Sequence, residues 1–356
     1  MFDIDPRVEV AELTSRLCDV SSVSGTEGPL ADAVEAALVG LGHLRVDRNG
    51  DAVVARTELG RPSRVVLAGH LDTVPVAANL PTRREVRGGR EVLLGCGTAD
   101  MKGGVAVMLR LAARLVEPSR DLTFVFYDCE EVDNARNGLG RLVREQRDWL
   151  AGDLAVLLEP TAARVEGGCQ GTVRVEVLVP GRRAHSARSW MGVNAIHAAA
   201  PVLTRLADYT AREVEVDGLV YREGLNAVGV RGGVAGNVIP DECVVTVNYR
   251  FAPDRSPEQA LAHMREVFAG FELTVTDSAP GARPGLTSGP VAEFVARTGR
   301  PAAPKYGWTD VARLSLLGMP ALNYGPGDPN VAHSREEHVA VDELLECETR
   351  LHDWLA

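Results

Sequence analysis

Residues 67–75 read LAGHLDTVP, and their interpretation decides the fold. The run Val65-Val66-Leu67-Ala68 leading through it is continuously apolar, as in a strand buried on both faces. His70 and Asp72 follow at once, and a two-residue step puts both on one side of an extended segment. Such a pair is either a set of satisfied polar caps or the start of a site. The strand-like run before it occupies 64–69 and others occupy 122–127 and 154–158, with a helix expected over about 101–115. In that helix Val105, Met108, Leu109, Ala112 and Leu115 recur at three- and four-residue steps. Strands alternating with helices imply parallel βαβ units, whose sites form just beyond the carboxyl ends of the strands.

The pattern changes near Gly171. Residues 172–179, TVRVEVLV, alternate like a half-solvated strand. A helix is expected over 193–206, with Val193, Ile196, Ala200 and Leu203 as a core or dimer-contact stripe, and a hairpin over 229–250. The Gly/Pro/Ser-rich stretch 278–290 reads as a return connection to a short buried run at 320–323. The expected architecture is α/β: a mostly parallel-sheet domain (1–171 and 282–356) with an inserted α+β domain (172–281).

The 356 residues exceed the size at which a single core usually stops growing, which agrees with two domains. A net charge of −11 argues against non-specific binding to nucleic acid or anionic membranes. The six cysteines are scattered without a C-x-x-C pair, so neither a thiolate zinc site nor a disulfide framework is expected. The amino terminus carries no signal-peptide pattern, and no apolar run is long enough to span a bilayer. A cytoplasmic location is expected.

Five candidate groups fall at strand ends or in the loops after them. They are His70 with Asp72, Asp100 in GTADMKGG, Glu130-Glu131 in YDCEEV, Glu159 in LLEPT, and His333 in GPGDPNVAHS. Singly, each has an ordinary structural explanation; Asp100, for instance, suits a helix N-cap. Together they converge on one sheet edge, where several carboxylates would repel and resist desolvation without cations. Imidazoles and carboxylates without thiolates suit Zn²⁺ or a similar ion, and a pair of such ions bridged by a carboxylate is a hydrolytic device.

The order His-x-Asp, Asp, Glu-Glu, Glu, His, with the segments GHLDTVP, GTADMKGG and AHSREEH, resembles the dinuclear zinc amidohydrolase and peptidase family. That family includes acetylornithine deacetylases, glutamate carboxypeptidases and succinyl-diaminopimelate desuccinylases. The resemblance runs end to end and implies a zinc-peptidase-like catalytic domain with an inserted lid and dimerisation domain. It implies two Zn²⁺ per chain, with Co²⁺ as a substitute. Asp100 would bridge them, His70 and Glu159 would complete one site, and Glu131 and His333 the other. Asp72 would orient the His70 ring, and Glu130 would be the general base acting on the water between the ions. His185, in GRRAHSARSWMGVNAIH, resembles the family histidine that reaches a neighbouring subunit's site and stabilises the oxyanion, implying a homodimer. Asn237 in GNVIP and Arg250 in NYR match the family's substrate-contacting segment.

Within the family, 307–313 and the following NYGPGDPNVAHSREEH are most similar to desuccinylases of the actinobacterial type. These hydrolyse N-succinyl-LL-2,6-diaminopimelate to succinate and LL-2,6-diaminopimelate, in lysine and diaminopimelate biosynthesis. Asp310 and Arg313 stand one residue further apart than in other desuccinylases, so they and Thr309 receive no role. An N-acetylornithine deacetylase or a glutamate-type carboxypeptidase would share every metal ligand. A metal-stabilised binding protein would need the ligands but not Glu130.

Overall fold

In the computed structural model, Arg64–His70 is a strand in which every residue from Val65 to His70 is buried. It pairs in parallel with Asp121–Tyr127 on one side and with Leu154–Leu157 on the other. Leu154–Leu157 pairs in parallel with Ala321–Asn323. The structure describes residues 2, 4–287 and 289–356, so Ser288, within the expected return stretch 278–290, lies outside the described residues. Antiparallel strands Ala52–Arg56 and Arg45–Asn49 extend one side of the sheet, and Glu166–Gly167 and Ala303–Pro304 extend the other, to eight strands.

The helix Gly103–Arg114 covers this sheet with Val105, Met108, Leu109 and Ala112 buried, as the three- and four-residue spacing requires. Val65, Leu67, Phe124, Phe126, Leu154 and Val156 meet it in one apolar core. The helices Val10–Asp19 and Val341–Leu355 contribute to the same core through Leu13, Leu17, Leu344 and Leu351. Register sets the site: His70 pairs with Tyr127, Ala68 with Leu157, and Asn323 with Leu157. The four parallel strands therefore end at one edge, and the residues after each end become neighbours.

The chain divides into two units. The first runs up to Gly167 and resumes over Pro284–Ala303 and Arg313–Ala356; the second is Gly168–Arg283 with Pro304–Ala312. The second holds a four-stranded antiparallel sheet in the order Gly224–Gly232, Glu242–Phe251, Gly171–Pro180, Glu272–Ala279. Val173, Val175, Val177, Val245, Val247 and Phe251 point to one face and pack with residues of the helices Ala195–Ala198, Ala200–Ala207 and Pro257–Val267.

Three sequence expectations differ in detail. The helix expected over 193–206 is two helices, because Asn194 caps Ala195–Ala198 and Pro201 begins a new first turn. The hairpin arms are longer than 229–250. The segment Pro304–Ala312, assigned from sequence to the first domain, groups with the second unit. Gln170 N–H donates to Lys305 O (3.3 Å) and Trp308 Nε1–H to Pro280 O (3.1 Å), contacts that no local pattern announces.

Candidate active site

The backbone at the end of the central strand is held by Leu71 N–H donating to Tyr127 O at 2.7 Å. His70 is buried, with Nδ1 3.0 Å from the Asp72 carbonyl oxygen and 3.5 Å from Asp72 Oδ1. The carbonyl is the nearer acceptor for the ring hydrogen. The Asp72 carboxylate has other donors: Glu130 N–H on Oδ1 at 3.0 Å, and on Oδ2 Glu131 N–H at 3.0 Å and the Ser24 hydroxyl at 2.7 Å. The expectation that Asp72 chiefly orients His70 is thus incomplete. A fully buried carboxylate fills its lone pairs with the donors around it, and here two consecutive backbone N–H groups face it.

His70 Nε2 lies 3.2 Å from Asp100 Oδ1, and His333 Nε2 lies 3.2 Å from Asp100 Oδ2 and 2.7 Å from Glu131 Oε1. One carboxylate therefore faces two imidazoles, one with each oxygen. Asp100 is not a helix cap. The N-cap of Gly103–Arg114 is Lys102, with no side-chain capping bond, and Asp100 sits before it with non-helical φ −119° and ψ 98°. Burial opposes the charge on His70, but Asp100 and Asp72 outweigh it and hold the imidazole well above its ordinary range. Hydrogen bonds to Asp100 and Glu131 push His333 up to about 11. Asp100 is held well below the usual carboxylate range: burial works against its charge, and His333 and His70 more than offset it.

Glu159 is buried one residue beyond the Leu158 that ends the apolar run. Its backbone is crowded from two sides: a Cβ on Gly104 would lie 2.2 Å from Leu158 O, and one on Gly325 would lie 2.6 Å from Glu159 O. Only glycine permits these approaches. Glu130 follows Cys129, which adopts a left-handed φ of 57°. Cys129 N–H donates to Glu27 Oε1 at 3.0 Å, so three consecutive N–H groups, 129 to 131, end on the carboxylates of Glu27 and Asp72. Glu27 is buried and was not legible from sequence; its role is a backbone contact without a residue pattern.

Two further buried charges adjoin Asp100. Glu337 Oε1 accepts the N–H groups of Ala99 and Asp100, both at 3.1 Å. Burial pushes its carboxyl up to about 7, against the stabilising N–H groups of Asp100, Gly97 and Ala99. Lys102 Nζ donates to Leu17 O (3.1 Å) and Val20 O (2.8 Å), and burial lowers its pKa. It ties the end of the first helix to the Asp100 loop.

The other expected residues belong to the second unit. His185 is exposed, and its Nδ1 accepts Ala187 N–H at 3.0 Å. Ser186 N–H donates to Asn237 O at 2.9 Å, which brings the His185 and Asn237 segments together. Arg250 is half-buried in the sheet and donates from Nε to Asn248 Oδ1 at 3.1 Å. Thr309 and Asp310 are buried in the same unit, whereas Arg313 hydrogen-bonds Asn134 in the first.

Ligand atoms of His70, Asp100 and Glu131 lie within 4.8 Å of one another, and His333 joins them through both carboxylates. Nitrogen and carboxylate oxygen donors without thiolates fit a divalent cation of the zinc kind. Residues 66–356 match the profile of peptidase family M20/M25/M40. The chain belongs to that family and is by class a hydrolase. A Mycobacterium tuberculosis protein named "Putative succinyl-diaminopimelate desuccinylase DapE" is 57% identical over 355 residues, 99% of each chain. The succinyl-diaminopimelate desuccinylase of Corynebacterium glutamicum is 47% identical, covering 97% of this chain and 95% of its own. Among solved structures, a Staphylococcus aureus tripeptidase superposes with a TM-score of 0.78 at 20% identity, covering 99% of this chain and 98% of its own. That likeness shows the shared fold. Among the described residues no helix is long and apolar enough to cross a membrane.

Proposed function

We propose that this chain is a succinyl-diaminopimelate desuccinylase, hydrolysing N-succinyl-LL-2,6-diaminopimelate to succinate and LL-2,6-diaminopimelate. The observation that carries the chemistry is Asp100 facing His70 and His333 with its two oxygens, beside a Glu130-Glu131 turn held by Asp72. The observation that carries the acyl group is end-to-end identity with proteins of that name. The reaction would serve lysine and diaminopimelate biosynthesis in the cytoplasm. Six free, buried cysteines accord with a reducing compartment.

In this reading His70, Asp100, Glu131, Glu159 and His333 hold two Zn²⁺, for which Co²⁺ can substitute. Two such ions, when bound, supply Lewis acidity and lower the pKa of water in the site. Glu130 accepts a proton from the water attacking the amide carbonyl and delivers it to the departing amine. Asp72 holds the turn that aims Glu130 and supports His70. Arg250 binds a substrate carboxylate: burial and the neighbouring Arg174 disfavour its charge, a cost that an anionic ligand offsets. Asn237 donates to the substrate beside it.

The second unit acts as lid and dimerisation domain, and His185 stabilises the tetrahedral oxyanion in a neighbouring subunit's site. Trp190, Met191, Ile196, Leu203, Val228 and Val230 are all exposed in this unit, an apolar surface that a homodimer would cover. The decisive experiment compares turnover of N-succinyl-LL-diaminopimelate and N-acetylornithine, with and without chelator. Chelator-sensitive turnover favouring the succinyl substrate is expected. Faster turnover of N-acetylornithine overturns the substrate, and chelator-insensitive turnover overturns the metal chemistry.

A further inference from the structure

We propose that Glu337 is a positioning residue for the metal ligand Asp100, gripping the Ala99–Asp100 backbone from the loop that carries His333 and joining the two ligand loops into one unit. The inference rests on the reading that Asp100 and His333 hold metal. Glu337 lies four residues after His333 and is 2% exposed. Its Oε1 accepts both the Ala99 and the Asp100 N–H at 3.1 Å. Its own backbone is fixed on both sides: its carbonyl accepts Gly95 N–H at 3.0 Å, and its N–H donates to Ser334 O at 3.3 Å. The strand His338–Ala340 that follows pairs with Arg90–Leu94, with His338 opposite Leu94. The chain leaving His333 is thus stitched to the chain entering Asp100 by main-chain and side-chain bonds in succession.

Asp100 needs such a partner for a physical reason. Asp100 and Met101 have non-helical dihedrals, and the Ala99 and Asp100 N–H groups lie ahead of the helix Gly103–Arg114 with the Glu337 carboxylate as their acceptor. A buried N–H left without an acceptor is costly, and the loop would shift to satisfy it. A shift of the Asp100 backbone moves both carboxylate oxygens away from His70 and His333. Glu337 prevents this by holding the backbone on both sides of the Ala99–Asp100 peptide, so it acts through Asp100.

The test uses the full chain, stripped of metal and titrated with Zn²⁺ against a chromophoric chelator, with the visible spectrum of the Co²⁺ form as a second readout. Glu337→Ala removes the acceptor, and Glu337→Asp shortens the reach. Glu337→Gln retains an acceptor oxygen. Glu337→Ala and Glu337→Asp are expected to weaken metal binding roughly 10–100-fold and to change the Co²⁺ spectrum, as loss of a group orienting a ligand does. Glu337→Gln is expected to restore most of the affinity and a spectrum close to that of the unsubstituted protein. Should Glu337→Ala fail to fold, Glu337→Asp decides. Folded variants with unaltered affinity and spectrum overturn the proposal. An unsubstituted chain that takes up no Zn²⁺ overturns the metal reading beneath it instead.

Discussion

Asp72 Oδ1 accepts the Glu130 backbone N–H at 3.0 Å, so a residue of the His70 strand end sets the position of a side chain from the neighbouring strand end. Its second oxygen does the same for Glu131 and receives the Ser24 hydroxyl. Asp72→Ala leaves those donors buried and unpaired, at about 1–3 kcal/mol for each group that stays dry. Turnover is expected to fall roughly 10–100-fold. Ser24→Ala removes a hydroxyl donor to the charged Asp72 carboxylate and costs about 1.5–3 kcal/mol. Kinetics paired with urea unfolding check both, and wild-type turnover in Asp72→Ala would show that the turn holds its place unaided.

Glu130→Gln separates base from scaffold. The bond to Asp72 uses the Glu130 main chain, so the substitution leaves the turn in place. Hydrolysis is expected to drop by roughly 10²–10⁴-fold, the usual contribution of a positioned base. Elemental analysis is expected to find metal content unchanged. Turnover equal to that of the unsubstituted chain refutes Glu130 as the base.

Metal and protons compete for the same imidazoles. Without metal, His333 is pushed up to about 11 and His70 well above its ordinary range, so both hold protons that a cation must displace. His333, raised in the folded state, contributes stability fully below the unfolded value near ~6.5, and that contribution is lost as pH rises through about 11. The metal-free protein therefore loses part of this support on going from pH ~6 to ~9, while metal binding strengthens. Melting with and without Zn²⁺ at the two pH values should show a larger metal-induced rise at the higher one. A rise that is equal or smaller there counts against protonated imidazoles in the metal-free site.

Asp121 contributes to acid stability away from the site. Burial opposes its charge, but the N–H groups of Leu59 and Arg61 and the Thr57 hydroxyl overcome this and hold its pKa below the ordinary carboxylate value. A depressed carboxylate contributes stability that is present above its unfolded pKa of ~3.9 and lost as pH falls below it. Asp121→Asn is expected to cost about 1.5–3 kcal/mol at neutral pH, the scale of hydrogen bonds to a charged group. The difference from wild type should shrink in urea titrations at pH ~3. A difference that stays constant between the two pH values would exclude ionised Asp121 as its source.

The apolar run before His70 and the periodic helix after Met101 were readable because burial on two faces, or on one, forces a residue pattern. The strand end at His70 was readable for the same reason, and Glu131 follows the end of the neighbouring parallel strand, whereas Asp100 and His333 reach the site on longer loops. Glu27, Glu337 and Lys102 were not. Each satisfies backbone groups far away in sequence, and main-chain N–H and C=O groups are alike at every residue. The break at Pro201 was written in the chain but outweighed by a stripe of apolar residues.

By itself, the sequence determined which segments must be buried, and hence a parallel sheet with histidines and carboxylates at its carboxyl edge. Only the tertiary structure decided that the Asp72 carboxylate serves the Glu130-Glu131 backbone, that Asp100 divides its oxygens between His70 and His333, and that Pro304–Ala312 joins the second unit. Hydrophobic burial is repeated along the chain and leaves a period. A hydrogen bond between distant loops happens once, and it is chosen by which donors and acceptors the finished fold leaves facing each other.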